Sequence, residues 1–269
     1  MTTTYSWIVG SGGLLGSSVT RELGRRGNCV FTSSVPWADH ESARNTLLQD
    51  CTAFFGLVGD GAWNIVWAAG AGVNGTSAAE FAQENALIAE VLDQVGDLHT
   101  SAGGVYAGAV GAPHHEGTRA VPLGDYGRAK LDSEKIAEAF GIRTGINVVV
   151  GRFANLYGPG QNLSKPQGLI SHLCRGYLMA SPVSIYVPMD TLRDYLFVSD
   201  AAEMVADALA LSARNSFSPT TKIFRSGSAF NLAAIIDRKA RASLKRISAS
   251  LAVATRRLDF RCAFNKVNS

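Results

Sequence analysis

Seven residues, Gly10-Ser-Gly-Gly-Leu-Leu-Gly16, follow directly on the apolar run Tyr5-Ser-Trp-Ile-Val9 and precede a segment with helical periodicity. Few folds tolerate glycines spaced three apart at such a junction. A strand, a tight turn and a helix start must meet there, and the backbone is left bare of side chains. Bare backbone at a helix N-terminus presents free N–H groups and the positive end of the helix dipole, which together suit a phosphate. The loop therefore predicts a strand–turn–helix cradle for a dinucleotide pyrophosphate. Gly10, Gly12, Gly13 and Gly16, with the amides of Leu14 and Leu15, are its candidate binding residues.

The rest of the first 150 residues continues this alternation. Leu15, Val19 and Leu23 recur at four-residue spacing and predict a helix over Leu14–Arg26, closed by Gly27. Cys29-Val-Phe31 predicts a strand, residues 38–55 a helix, and Ile65-Val-Trp-Ala68 a strand. A helix is expected from Ala78 to Val95, a strand end near residues 99–104, a helix over Asp125–Phe140, and a strand at Asn147–Val150. Strands alternating with helices imply a doubly wound parallel α/β sheet. After Gly151 the texture changes, with Gly158-Pro-Gly160, Pro166, Pro182, Pro188 and Pro219 breaking the chain into shorter pieces. Residues 1–150 are thus expected to form a Rossmann-type dinucleotide-binding domain. Residues 151–269 are expected to form a smaller, mainly substrate-binding lobe, with segments returning to the first domain.

Composition sets outer limits. At 269 residues, 46% hydrophobic and 17% charged, the chain is globular and not disordered. A net charge of +3 does not call for nucleic acid. From Arg238 to the end, nine Lys/Arg stand against the single Asp259, so the tail is either a phosphate-binding surface or a solvated helical face. The four cysteines lack metal-ligand spacing and read as reduced thiols. His114-His-Glu116 lies beside Pro113 on an expected loop, and no metal is assigned to it. Neither a signal peptide nor a membrane span is evident, so a cytoplasmic protein is expected.

Tyr126-Gly-Arg-Ala-Lys130 is the second informative motif. Residues i and i+4 share a helix face. A free phenol, with a pKa of about 10, is a poor base at neutral pH. A neighbouring ammonium favours the phenolate, so Lys130 is expected to lower the pKa of Tyr126. Such a tyrosine can exchange a proton with a substrate oxygen as hydride leaves or reaches the same carbon.

Together these residues resemble the extended short-chain dehydrogenase/reductase superfamily, in its NAD(P)-dependent epimerase/dehydratase branch. The resemblance runs from Trp7 to about Ala202. It rests on the glycine loop, Trp67-Ala-Ala-Gly70, Asn85, Ser101-Ala-Gly-Gly-Val-Tyr106, Tyr126-x-x-x-Lys130, Arg152-Phe-Ala-Asn-Leu-Tyr-Gly-Pro-Gly160 and Arg193-Asp-Tyr-Leu-Phe-Val-Ser-Asp200. It implies Tyr126 as acid/base, Lys130 as its partner and ribose ligand, and Ala68, Ala69, Gly70 and Asn85 as cofactor wall. It implies Asn155 and Arg193 as contacts to a nucleotide-sugar diphosphate. A local turn cap for Asn155 and an Asp194 ion pair for Arg193 are the alternatives.

Two departures bear on chemistry. The family's Ser or Thr positions fall on Ala102 and Gly104, so either Ser101 shifts into that role or a water or backbone N–H replaces it. The Asp-Glu pair of the branch's dehydratases is replaced by Gly103-Gly104, which disfavours dehydration. The segment after the second strand, Phe31-Thr-Ser-Ser-Val-Pro-Trp37, lacks the acid that commonly holds an NAD ribose. Ser33 is the contact expected there, Arg25 or Arg26 is a candidate for a 2′-phosphate, and NAD and NADP both stay open. The expected reaction is epimerisation of a nucleotide-linked sugar through a transient keto intermediate. The alternatives are an NADPH-dependent ketoreductase and a dinucleotide-binding sensor with little catalysis. The resemblance also allows a homodimer through the helix bearing Tyr126.

Overall fold

The computed structural model describes residues 3–70, 76–98, 103–109, 122, 124–164, 168–185, 192–214, 222–226 and 229–231. Alternation begins at β1 (Thr4–Val9), α1 (Leu14–Arg25), β2 (Cys29–Thr32), α2 (His40–Val58) and β3 (Ala62–Trp67). It continues through α3 (Ala78–Leu98), β4 (Gly103–Ala109), α4 (Asp125–Thr144) and β5 (Asn147–Phe153). The later elements are β6 (Asn155–Tyr157), α5 (Leu169–Leu178), β7 (Leu192–Phe197), α6 (Val198–Arg214), β8 (Lys222–Ser226) and β9 (Ala229–Asn231).

Six strands form one sheet in the order β2-β1-β3-β4-β5-β8, and every pairing in it is parallel. β1, β3 and β5 are buried on both faces, as the centre of a parallel sheet requires. Period-two alternation assigns each strand residue to a face. Trp7, Ile65, Trp67, Val148 and Val150 join Leu47, Phe54, Val91 and Phe140 in a core under α2, α3 and α4. Ile8, Val66 and Val149 join Val19, Leu23, Ala201, Val205 and Leu209 in a second core under α1 and α6. This is the doubly wound arrangement expected from the sequence.

Strand order reverses between β1 and β3, so the chain leaves β1 in one direction and returns to its other side. In an open α/β sheet the crevice at that reversal, above the strands' C-terminal ends, is where ligands bind. The glycine loop leaves β1 there, and Ala68-Ala-Gly70 leaves β3 there. Element ends depart from expectation by a few residues. α2 begins later than expected because Asp39 caps it, its carboxylate accepting from the Glu41 and Ser42 amides.

Beyond residue 151 the chain does two things. β6, β7 and β9 form a small three-stranded sheet, parallel between β6 and β7 and antiparallel between β7 and β9. α6 and β8 belong instead to the large sheet, α6 in the core with α1 and β8 paired to β5. Among the described residues, no helix is long and apolar enough to cross a membrane.

Candidate active site

The cradle is fixed by backbone contact. Gly10 has φ +87°, and a Cβ there would stand 2.6 Å from the Ala69 amide nitrogen. A Cβ on Gly16 would stand 2.1 Å from the Gly10 carbonyl oxygen. Gly13 donates its amide to that same carbonyl at 3.0 Å, and the Ser17 amide donates to Gly13 at 2.9 Å. Leu14, Leu15 and Gly16 supply the first-turn amides of α1, and no side chain caps its N-terminus. Gly12 differs from the rest: a Cβ there would meet nothing within 4 Å. Two glycines weld the loop to β3 and α1, while a third faces open space. Gly160 of the later lobe reaches the same region, its Cβ position lying 4.0 Å from Ser17 Oγ.

The tyrosine–lysine pair sits on the first turns of α4, against α3. The Lys130 Nζ is 5.8 Å from the centroid of the Tyr126 ring, within cation–π range. The same Nζ is 2.9 Å from Glu84 Oε1, and it would be 3.0 Å from a Cβ on Gly70. Lys130 is buried, and Phe81 of α3 packs its ring 5.8 Å from that of Tyr126. One tripeptide therefore joins the two motifs: Gly10 rests on Ala69, and Lys130 rests on Gly70.

Glu84 carries no motif signal and was not anticipated. It overturns one expectation, that Lys130 lowers the Tyr126 pKa. Burial first, and the Glu84 carboxylate second, push the phenol above its ordinary value. The ammonium is matched by a carboxylate at contact distance, which opposes its pull on a phenolate. A glutamate just before Asn85 on a helix packed against α4 is a signal that pairing the two helices would have exposed.

Asn85, expected at the cofactor, is engaged with α4. Its Nδ2 donates to the Ala129 carbonyl at 3.1 Å, and its Oδ1 accepts from Ser133 Oγ at 2.6 Å. Both ends of the amide are engaged by α4. Asn85 thus fixes the helix that carries Tyr126 and Lys130. A further brace joins α4 to β5, where Arg152 Nε donates to Glu134 at 2.8 Å and its second nitrogen pairs with the other carboxylate oxygen.

On the substrate side, Asn155 pairs in register with Tyr195, two residues along β7 from Arg193. The backbone thus brings these two candidates onto adjacent strands of the small sheet. Tyr157, exposed in part, packs its ring against Tyr195 and Phe197 at 6.4 and 5.4 Å. Ser101, the His114-His115 pair and the basic tail lie outside the described residues. Among the described residues, no cluster has the makings of a metal site.

The model of the NAD dependent epimerase/dehydratase family matches residues 7–219. The chain belongs to that family. Among curated relatives, the uncharacterized UDP-glucose epimerase YtcB of Bacillus subtilis is 31% identical over 94 residues, 35% of this chain and 29% of that protein. A dTDP-glucose 4,6-dehydratase of Actinoplanes is 33% identical over 112 residues, 42% of this chain and 34% of that protein. These alignments span about a third of the relatives' own length. Among solved structures, the Thermus thermophilus UDP-glucose 4-epimerase in complex with NAD superposes with a TM-score of 0.66 at 20% identity, covering 93% of this chain and 84% of that one.

The dinucleotide of this epimerase/dehydratase family fits the residues present. The cradle admits no Cβ at Gly10 or Gly16, offers uncapped amides at Leu14 and Leu15, and opens at Gly12. At the β2 end, Ser33 Oγ accepts from Trp7 Nε1 at 2.8 Å and keeps its own proton to donate. Arg25 and Arg26, the candidates for a 2′-phosphate, are engaged elsewhere. They end α1, which runs away from the cradle, and both are paired with Glu22. Arg26 also reaches Asp207 of α6 at 2.6 Å. Residues 33–39 contain no Lys or Arg.

Proposed function

We propose that this chain binds NAD in the β1–β3 crevice and epimerises a nucleotide-linked sugar, with Tyr126 as the acid/base. One observation carries the reading. The phosphate cradle and the Tyr126–Lys130 pair abut consecutive residues of one strand end, Ala69 and Gly70. Bound nicotinamide would supply reversible hydride transfer. The chain's own residues would then hold the pyrophosphate on first-turn amides, hold ribose hydroxyls with Lys130 and Ser33, and move a proton at the Tyr126 oxygen. Asn155 and Arg193 are the proposed diphosphate contacts, on the lobe that borders the cradle through Gly160. NAD is favoured over NADP because Arg25 and Arg26, the candidate cations for a 2′-phosphate, lie at the end of α1 remote from the cradle and pair with Glu22. Gly103 and Gly104 offer no side-chain acid or base at the positions dehydratases use, which supports epimerisation over dehydration.

A ketoreductase is the second reading, and the phenol supports it. Burial and Glu84 favour the neutral, proton-donating form, which suits delivery of a proton to a carbonyl. Mass spectrometry of natively purified protein separates the two. Retained oxidised NAD is the expected result. An empty site that takes up NADPH would favour the reductase. A chain that holds neither cofactor would overturn both.

A further inference from the structure

Glu84 is the charged side chain at the Tyr126 end of the α3–α4 seam that no motif accounts for, while Asp93 and Arg143 pair at the other end. It stands one turn from Phe81, whose ring meets that of Tyr126, and immediately before Asn85, whose amide grips α4. Its Oε1 lies 2.9 Å from Lys130 Nζ. A Cβ on Gly70 would stand 3.2 Å from the same oxygen and 3.0 Å from the ammonium. The ion pair is therefore pressed against the end of β3, beside the residue that adjoins the cradle. The side chains are 18% and 9% exposed, so water screens the pair poorly.

We propose that Glu84 is a positioning residue: it anchors the Lys130 ammonium at the Gly70 end of β3 and draws that charge away from the Tyr126 phenol. The proposal rests on the reading of Tyr126 as the acid/base and adds a partner to it. Three features of the seam follow. Lys130 is held in a fixed place before any ribose arrives. The ammonium charge is neutralised until a second acceptor shares it. Tyr126 begins as a neutral phenol, a proton donor.

The groups around Tyr126 are few among the described residues. α3 presents Phe81 and Glu84, while Glu80 is bonded back to Ser77. α4 presents Lys130 and the exposed Asp125–Arg128 pair. The segment after β3 presents the backbone at Gly70. Glu84 is the anion that both contacts Lys130 and acts on the phenol. Replacing it by a neutral isostere removes an opposing charge and frees a favourable one. Both changes stabilise phenolate, so the sign is unambiguous. A single nearby charge moves a titration by about 1–3 pH units.

The test uses full-length unliganded protein labelled with carbon-13 at the tyrosine ζ position, with Tyr126→Phe serving only to assign the resonance. In wild type the Tyr126 signal is expected to remain neutral at pH of about 10. In Glu84→Gln the midpoint should fall by about one pH unit or more. Glu84→Asp, which keeps the charge, should return it most of the way to wild type. A wild-type midpoint below that of ordinary tyrosine overturns the proposal without any variant. So does a Glu84→Gln midpoint equal to wild type, or an equal shift in Glu84→Asp. A residue that merely braced α3 against α4 would lower thermal stability in Glu84→Gln and leave the titration where it was. No step of this test requires turnover. A failure of the catalytic reading, seen as full activity in Tyr126→Phe, is thus distinguishable from a failure of the charge relation.

Discussion

The two halves of the candidate site are built from different materials. The cradle is backbone: Gly10, Gly13 and Gly16 touch main-chain atoms of their own loop and of the segment that follows β3. The seam is side chain: Tyr126, Lys130, Glu84, Asn85 and Ser133 are held by contacts between α3 and α4. Backbone contact is steric and close to all-or-none. A side-chain constellation is electrostatic and graded, and it can be retuned by a residue far away in sequence. The contrast shows why one half is announced by a local motif and the other is not.

The sharpest way to break that contrast is to place side chains in the cradle. Gly16→Val sets a Cβ 2.1 Å from a carbonyl oxygen with no flexible group to give way. The expected cost is more than about 4 kcal/mol, read as loss of the cooperative thermal transition. Gly12→Val is the counterpart, because its Cβ enters open space. This variant should fold with an unchanged thermal midpoint and bind NAD at least about 100-fold more weakly, a loss of about 2.7 kcal/mol by titration. Equal damage from both substitutions would show that the loop is a packing device and not a ligand cradle.

Tyr126→Phe tests the other half. The ring contact with Phe81 and the Lys130–Glu84 pair both survive the loss of one hydroxyl. Turnover of a nucleotide-sugar substrate should drop by about 10²–10⁴-fold, with NAD affinity nearly unchanged. A parallel loss of affinity would place Tyr126 in the cradle's half of the contrast, as a binding group.

Legibility in the sequence follows the same division. Leu15, Val19 and Leu23 predict the buried face of α1 because helix period and burial face are local properties. Gly10 and Gly16 predict the turn because a missing Cβ leaves few reasons for its absence. The alternation through β5 was readable for the same cause. Glu84 was not readable, since its meaning depends on α3 and α4 lying side by side, with Lys130 46 positions further along the chain. Arg25 and Arg26 misled in the opposite sense. They are near Ser33 in sequence, but α1 runs antiparallel to β1 and carries them to the end of the sheet opposite the cradle. Asn85 matched the family motif, yet its two hydrogen bonds to α4 make it a support for the pair beside it.

The far end of α1 offers the smallest and most selective test, because there the cradle's helix is held by charge. Glu22 is nearly buried, with its side chain 10% exposed, and it pairs with Arg25 and Arg26. The Arg25 hydrogen bonds lower its pKa most, and those of Arg26 add to them against the opposing pull of burial, leaving it at about 2. An ordinary glutamate titrates near 4.5, so the folded value is the depressed one. The stabilisation is therefore complete above that ordinary value and is lost as pH falls from about 4.5 toward about 2. Arg25 is 69% exposed, which keeps the effect small, about 1 kcal/mol. Glu22→Gln should lose that amount at neutral pH in urea titrations and show a flatter acid limb than wild type. Hydrogen exchange at pH of about 3 should loosen α1 and α6, which Arg26 bridges to Asp207, before α3 and α4. If the α3–α4 seam opened first, the anchoring of the cradle's helix would not be the charge-dependent element.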